Sequence, residues 1–377
     1  MSAVAPAACL LAGLLIAGAP ARAASAERFT TSDECGMCHR DIYQMWRASV
    51  HGKAMDNPAF LDAYREIEAG RGASSSVVCL GCHAPMADVI GDAQLKRRIS
   101  WEGVTCDFCH SLVDVEVTDG VAVHRVDVGT VKRGPIHGAE STGHDVAHSD
   151  LFTRSIICAP CHEYTTADGT AIMSTYSEWK SSRAAEEGQT CQVCHMTLVE
   201  ADVVDPRIKR ETGAAVNLHQ MPGGHSLEQL HKALSVTIDT KRTEDRLDLT
   251  VHLKNKGAGH AVPTGMPGRR IVMELTIDPD TGQTFQEHRT YGKYYANAAG
   301  KKIEHVADLF AEGLQLQSDS RIGVDEVRVE NFEFEVQPEA IVYVTVKLHY
   351  EHAPRGPDEK RVWLTFFAER RMVRPSG

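Results

Sequence analysis

The 377-residue sequence is poor in aromatic residues, which make up 6% of it. A core built from protein alone would be short of its largest packing groups. Basic residues are also in deficit: 40 Lys and Arg stand against 51 Asp and Glu, a formal net charge of −11. With no basic excess to neutralise phosphates, the balance argues against nucleic acid as a partner. Long apolar runs are missing too. The stretch Ala7–Ala19 (AACLLAGLLIAGA) falls short of the ~20 residues a bilayer span needs, and no later stretch approaches that length. It is followed by Pro20 and by Ala21-Arg22-Ala23, an A-x-A cleavage pattern, although no Lys or Arg precedes it. Residues 1–26 therefore read as a secretory signal peptide. The mature chain is expected to be exported, periplasmic or extracellular, and without a transmembrane segment.

Eleven cysteines are an odd number, where a disulfide framework prefers an even one. Cys9 lies in the leader and is expected to leave with it. The other ten form five C-x-x-C pairs: Cys35/Cys38, Cys79/Cys82, Cys106/Cys109, Cys158/Cys161 and Cys191/Cys194. Each pair is followed at once by a histidine: His39, His83, His110, His162 and His195. C-x-x-C-H is the attachment signature of c-type haem. Two thiols add across the two vinyl groups of one haem, and the next residue turns beneath the ring so that its imidazole binds iron. Zinc accepts C-x-x-C pairs but requires no His after each. A thioredoxin-like redox pair would occur once, in a β-α-β setting. With 19 His in the chain, chance places one after all five pairs about once in several million sequences. The pattern predicts five covalently bound haem c groups, with the ten cysteines as thioether donors and the five histidines as proximal iron ligands.

Each iron then needs a sixth ligand or an open position. A second imidazole gives a low-potential haem suited to electron transfer, whereas Met raises the potential. Candidate distal ligands are His51, His137, His144, His148, His219, His225 and His260. His51 follows a helix-like stretch, Ile42–Trp46. His137, His144 and His148 share the loop GPIHGAESTGHDVAHSD, while His219 and His225 bracket Met221-Pro222-Gly223-Gly224. His260 lies in GAGHAVPTG and would reach back from the following domain. His124, in a Val-rich alternating segment, and His231, on a helical run, are weaker candidates. Met37, Met86 and Met196 read as packing groups.

The organisation divides in two, an α+β, multidomain reading. Residues 27–232 are expected to form a mostly α, loop-rich haem domain with too little apolar sequence for an independent core. Asn57-Pro58 opens a helix whose buried face is Phe60, Leu61, Tyr64 and Ile67, ended by Gly70-Arg71-Gly72. A weak repeat sets Tyr43-x-x-Trp46-Arg47-x-Ser49 against Tyr176-x-x-Trp179-Lys180-x-Ser182. Residues 233–377 change to a period of two. Leu247–Leu253, Arg270–Ile277, Val327–Val336, Ile341–Leu348 and Arg361–Ala368 are candidate strands, with a turn at Asp278-Pro279-Asp280-Thr281-Gly282. They predict an antiparallel β-sandwich-like domain. It has no nucleophile elbow, P-loop or dinucleotide fingerprint, and its expected role is docking or scaffolding.

The segments CGMCHRDIYQMWRASVHGKAM, WEGVTCDFCH, GHDVAHSDLFTRSIICAPCH and GAGHAVPTGMPGRR resemble one family. It is the multihaem c-type cytochromes related to the tetrahaem electron-acceptor partner of hydroxylamine oxidoreductase. The likeness runs from about Ser32 to Arg270. It implies closely stacked, mostly bis-His haems, with distal ligands at His51, His144 or His148, His219 and His260. Some relatives assemble into extracellular filaments. This chain departs from the tetrahaem pattern by its fifth motif and its β-rich C-terminal part.

Three readings follow. The first is an electron carrier without a substrate site of its own, relaying electrons between redox partner proteins. The second is a multihaem reductase or oxidase of small nitrogen or sulfur compounds, which needs one open iron. Pentahaem nitrite reductases typically mark that iron with Lys in place of the motif His, and no C-x-x-C-K occurs here. The third is an oligomeric filament subunit. Haem propionates would add about ten negative charges if all stay ionised, favouring basic partners at low salt.

Overall fold

The computed structural model describes residues 29–375 except 72, 119–120, 209–214, 311–312 and 353–361. The apolar leader, its cleavage pattern and Cys9 lie outside the described residues. The protein combines helices and strands, an α+β composition. Among the described residues no helix is long and apolar enough to cross a membrane.

Helices in the first half are mostly short, and several start from a side-chain cap. α1 (Ser32–Cys38) starts from a capping box: Thr31 accepts from the Glu34 backbone N–H, and the Glu34 carboxylate accepts from that of Thr31. α2 (Arg40–Ala48) follows directly. α3 (Pro58–Arg71) has Pro in its first turn, and the Asn57 side chain accepts from the Phe60 N–H at 3.4 Å. Its buried face includes Tyr64 and Ile67. α4 (Ala73–His83) and α5 (Pro85–Ile90) come next, the latter ended by Gly91 at φ 71°. Four further helices carry or join the later motifs. They are α6 (Cys106–His110), α7 (Ala159–His162), α8 (Thr175–Lys180) and α9 (Arg183–Glu186). α10 (Cys191–His195) and α11 (Leu227–Ala233) complete the set.

This half is less purely helical than its sequence suggests. β1 (Leu112–Thr118) and β2 (Val121–Val126) pair as a hairpin, so the Val-rich alternation around His124 is a strand. β3 (Val131–Gly134) and β4 (Asp145–His148) pair in parallel. β5 (Glu163–Thr165) with β6 (Ala171–Ser174), and β7 (Leu198–Glu200) with β8 (Ala215–Asn217), make two more ribbons. Its apolar clusters are small, and one of them contains the motif residues Cys79 and Leu80.

From Leu234 onward, strands dominate. β9 (Leu234–Arg242), β10 (Arg246–Asn255) and β15 (Val327–Glu335) form one antiparallel sheet in the order β15-β10-β9. β11 (Arg269–Pro279), β12 (Phe285–Tyr291), β16 (Val342–His352) and β17 (Val362–Val373) form a second, in the order β12-β11-β16-β17. A separate ribbon joins β13 (Lys293–Ala296) to β14 (Gln315–Asp319). Both larger sheets feed one apolar core. Leu247, Leu249, Val251 and Leu253 point in from β10, and Ile271, Met273, Leu275 and Ile277 from β11. The alternation follows from the period of two, which sends every second side chain to the same face. Leu253 is fully buried in this core, so Leu253→Ala should cost about 2–5 kcal/mol of stability. Chemical denaturation of the β-rich part would register it as a lower midpoint with an unchanged slope.

Candidate functional site

All five C-x-x-C-H runs lie on about one turn of helix. They sit at α1 with His39 as its cap, at α4, α6 and α10, and at a 3-10 turn (Ser155–Cys158) leading into α7. On a helix, positions i, i+3 and i+4 share one face. Both sulfurs and the imidazole of each motif are therefore presented together, as attachment of one flat ring requires. The ten described cysteines form no disulfides. Burial pushes the Cys79 thiol up to about 11 and the Cys109 thiol up to about 12, which keeps these sulfurs neutral.

The weak sequence repeat is a structural repeat. Tyr43 and Trp46 pack at 5.8 Å and 41°, Tyr176 and Trp179 at 5.7 Å and 38°. Each indole N–H then donates to a backbone carbonyl two residues before a later motif. Trp46 reaches Val104 at 2.7 Å, and Trp179 reaches Gln189 at 2.8 Å. One residue earlier in each case stands a left-handed glycine, Gly103 at φ 73° and Gly188 at φ 72°, a conformation costly for any other residue. Thr105 and Thr190 then take the N-cap positions of the motif helices, and the Thr105 hydroxyl accepts from the Phe108 N–H. Thiol contacts match: Cys35 meets Cys106, and Cys158 meets Cys191. The first and third motifs thus form one two-motif unit, and the fourth and fifth form another of the same design. The second motif joins the fourth. The Cys82 thiol donates to the Pro160 carbonyl and the Cys161 thiol to that of Gly81, both at 3.9 Å.

Four motif imidazoles face a second imidazole. Ring centres lie 6.0 Å apart for His39 and His144, 6.1 Å for His51 and His162, 6.5 Å for His110 and His219, and 6.3 Å for His195 and His260. A metal between two imidazoles, with bonds of about 2.0–2.1 Å, separates ring centres by about 6 Å. The gaps fit an iron. Hydrogen bonding selects the matching tautomer. Nδ1–H donates to a carbonyl in His39 (Val203, 2.6 Å), His110 (Arg133, 2.6 Å) and His195 (Pro222, 2.7 Å). The same holds for His144 (Asp145, 2.9 Å), His219 (Asn217, 2.6 Å) and His260 (Ala261, 3.0 Å). A carbonyl can only accept, so these rings keep Nε2 free as a lone-pair donor. His51 Nδ1 is buried and has no hydrogen-bond partner among the described residues.

His260 arrives from the β-rich part on a loop with little clearance. Ala261 N–H donates to Glu178 at 3.0 Å, and Asn255 donates to the His260 carbonyl at 2.9 Å. A Cβ on Gly259 would stand 3.0 Å from the Ala184 Cβ and 3.1 Å from Trp179. Arg321 pairs with the same Glu178 at 2.7 Å.

The remaining sequence candidates lie elsewhere. His137 and His148 stack on each other at 3.5 Å, too close for a ligand pair across a ring, and neither faces a motif histidine. His225 faces Tyr350 at 5.4 Å and His352 at 6.2 Å instead of a motif imidazole. His124 and His231 bond through Nε2 to the carbonyls of Ile157 and Phe366. His83 stacks on Phe60 at 3.9 Å and 8°. Among the described residues no imidazole has a ring contact with it. Sequence reasoning missed two neighbours of His110. Phe152 stacks on it at 5.4 Å. Asp107, inside the motif CDFCH, is buried and paired with Lys132, on the strand whose Arg133 carbonyl accepts from His110.

His352 supplies a pH test. Burial, then the Arg269 guanidinium, pushes it down to about 3, so the folded chain refuses a proton that the unfolded chain binds below about 6.5. Its contribution is fully present above about pH 6.5 and is lost as pH falls toward 3. His352→Asn should flatten the fall in denaturation midpoint between pH 7 and 4.

Residues 34–111, which hold the first three motifs, match the family model "Cytochrome c554 and c-prime". No curated protein matches the chain. Among solved structures, a penta-heme cytochrome c552 from Thermochromatium tepidum superposes with a TM-score of 0.72 at 21% identity, covering 92% of this chain and 99% of that one. The sporulation control protein Spo0M from Bacillus subtilis overlaps 38% of this chain and 50% of its own at 11% identity, with a TM-score of 0.16 that carries no argument. The motifs, the family-model match and the shared fold together support a multihaem c-type cytochrome, an electron carrier with covalently bound haem c that works with redox partners.

Proposed function

We propose that the chain is an exported pentahaem cytochrome that relays electrons through mostly bis-His haems, built as a haem domain (27–232) and a β-sandwich-like domain (233–377). The four imidazole pairs at 6.0–6.5 Å carry this reading. His39, His110, His162 and His195 are the proximal ligands there, with His144, His219, His51 and His260 opposite them. The ten motif cysteines hold the thioethers, and His83 is the fifth proximal ligand. Each haem, when bound, supplies a one-electron iron couple. The chain's own residues fix ligand tautomers through carbonyls and keep water from the buried rings. They also set which cofactors are neighbours. Thiol contacts join motif one to three, four to five and two to four. Cys109 of motif three lies close enough to act electrostatically on Cys158 and Cys161. The fourth motif is thus the branch point of the relay.

His83 favours a second reading, a reductase of small nitrogen or sulfur compounds, because its iron would keep an open position. Two measurements test these assignments. Intact mass of the exported protein should show loss of the leader and five haem additions, and four or fewer would overturn the count. EPR of the oxidised protein should show four low-spin haems and one high-spin haem. His260→Ala and His144→Ala should each convert one further haem to high spin. An unchanged low-spin count in both variants would refute the ligand pairing. Turnover of nitrite or hydroxylamine with a reduced dye would establish the second reading.

A further inference from the structure

The loop before the fourth motif holds two histidines that serve no motif. β3 and β4 run parallel, from Val131 beside Asp145 to Gly134 beside His148. Both strands therefore end at the same edge of the ribbon. His137 follows the end of β3, and His148 closes β4. Their rings lie 3.5 Å apart and within 17° of parallel. Asp150, two residues on, brings a carboxylate oxygen to 3.5 Å from His148 Nε2. One ligand atom from each of the three residues lies within 4.8 Å of the others. A first-row ion bound at about 2.0–2.2 Å holds its ligand atoms about 3–3.5 Å apart, so the two rings must turn out of their stack to aim a nitrogen each at one ion. The Asp150 side chain is 83% exposed.

We propose that His137, His148 and Asp150 bind one divalent transition-metal ion of the zinc class, which fastens this ribbon. Two imidazoles and a carboxylate suit Zn²⁺, with water completing the shell. Calcium and magnesium demand oxygen ligands and do not fit this set. The ion would close the loop that leaves β3 at Gly134 and returns at His144. That loop matters because His144 faces His39 at 6.0 Å, and the Arg133 carbonyl accepts from His110 at 2.6 Å. Tying His137 to His148 and Asp150 removes conformational freedom from the segment that aims His144. It also sets a double positive charge beside the first and third motifs, which favours their reduced state. The site rests on the haem reading in one respect, that His144 and not His148 faces His39, and the effect on potential rests on it as well.

The test uses the exported holoprotein stripped of loose metal with a chelator and titrated with Zn²⁺ by calorimetry. One equivalent should bind. His137→Ala should weaken binding at least about tenfold, and Asp150→Asn by less. His288→Ala, an exposed imidazole elsewhere, should leave it unchanged. Equal affinity in wild type and His137→Ala, or no stoichiometric binding, would overturn the site. Zn²⁺ should also move one or two haem potentials upward in wild type and not in His137→Ala. Stoichiometric binding with unmoved potentials would overturn the electrostatic effect on the first and third motifs. Retained low-spin EPR signals in His137→Ala would show that the variant is folded.

Discussion

A gap of about 6 Å between two imidazoles recurs in four pairs of this protein, and the proposed relay depends on it. Closing it to 3.5 Å, as in His137 and His148, excludes an axial pair across a ring. Holding it requires both rings to be fixed in tautomer and direction. Backbone carbonyls do this work for six of the eight rings in the four pairs, each accepting an Nδ1–H. For the motif rings His39, His110 and His195 the carbonyls come from loops and short ribbons at least 23 residues away in sequence, and for His144, His219 and His260 from one or two residues away. On the proposed ligand pairing, cofactor geometry, more than an apolar core, accounts for the short helices, two-stranded ribbons and small apolar clusters of this half.

The same economy explains the repeat. One helix bearing Tyr-x-x-Trp, one left-handed glycine and one threonine at the N-cap position set a second motif against a first, and the arrangement is used twice. The second motif stands outside it, fixed instead by α3 through Phe60 and by the fourth motif through sulfur contacts. Its histidine is also the one without an imidazole opposite among the described residues.

Much of this was legible in the sequence, for local reasons. Asn57-Pro58 announced α3 because capping chemistry acts within one turn. β10, β11, β15, β16 and β17 were legible because each presents alternate side chains to one core. β12 was not: its Gln286, Glu287 and His288 are exposed, and pairing with β11 makes it a strand. Which histidine meets which motif was not legible either. His137, His144 and His148 share one His-rich loop, and only the parallel pairing of β3 with β4 separates them. Carbonyls such as those of Val203 and Pro222 leave no mark in composition or period.

The loop at Gly259 has one last consequence. His260 is delivered to His195 past a glycine whose missing methyl group is already at contact distance from Trp179 and Ala184. A seam with that little tolerance makes the placing of His260 depend on small residues on both sides of it. Recombination that joined this haem-motif region to a β-rich part from another lineage would have to preserve the seam to within tenths of an ångström. Substitutions on either side of it should accumulate in step.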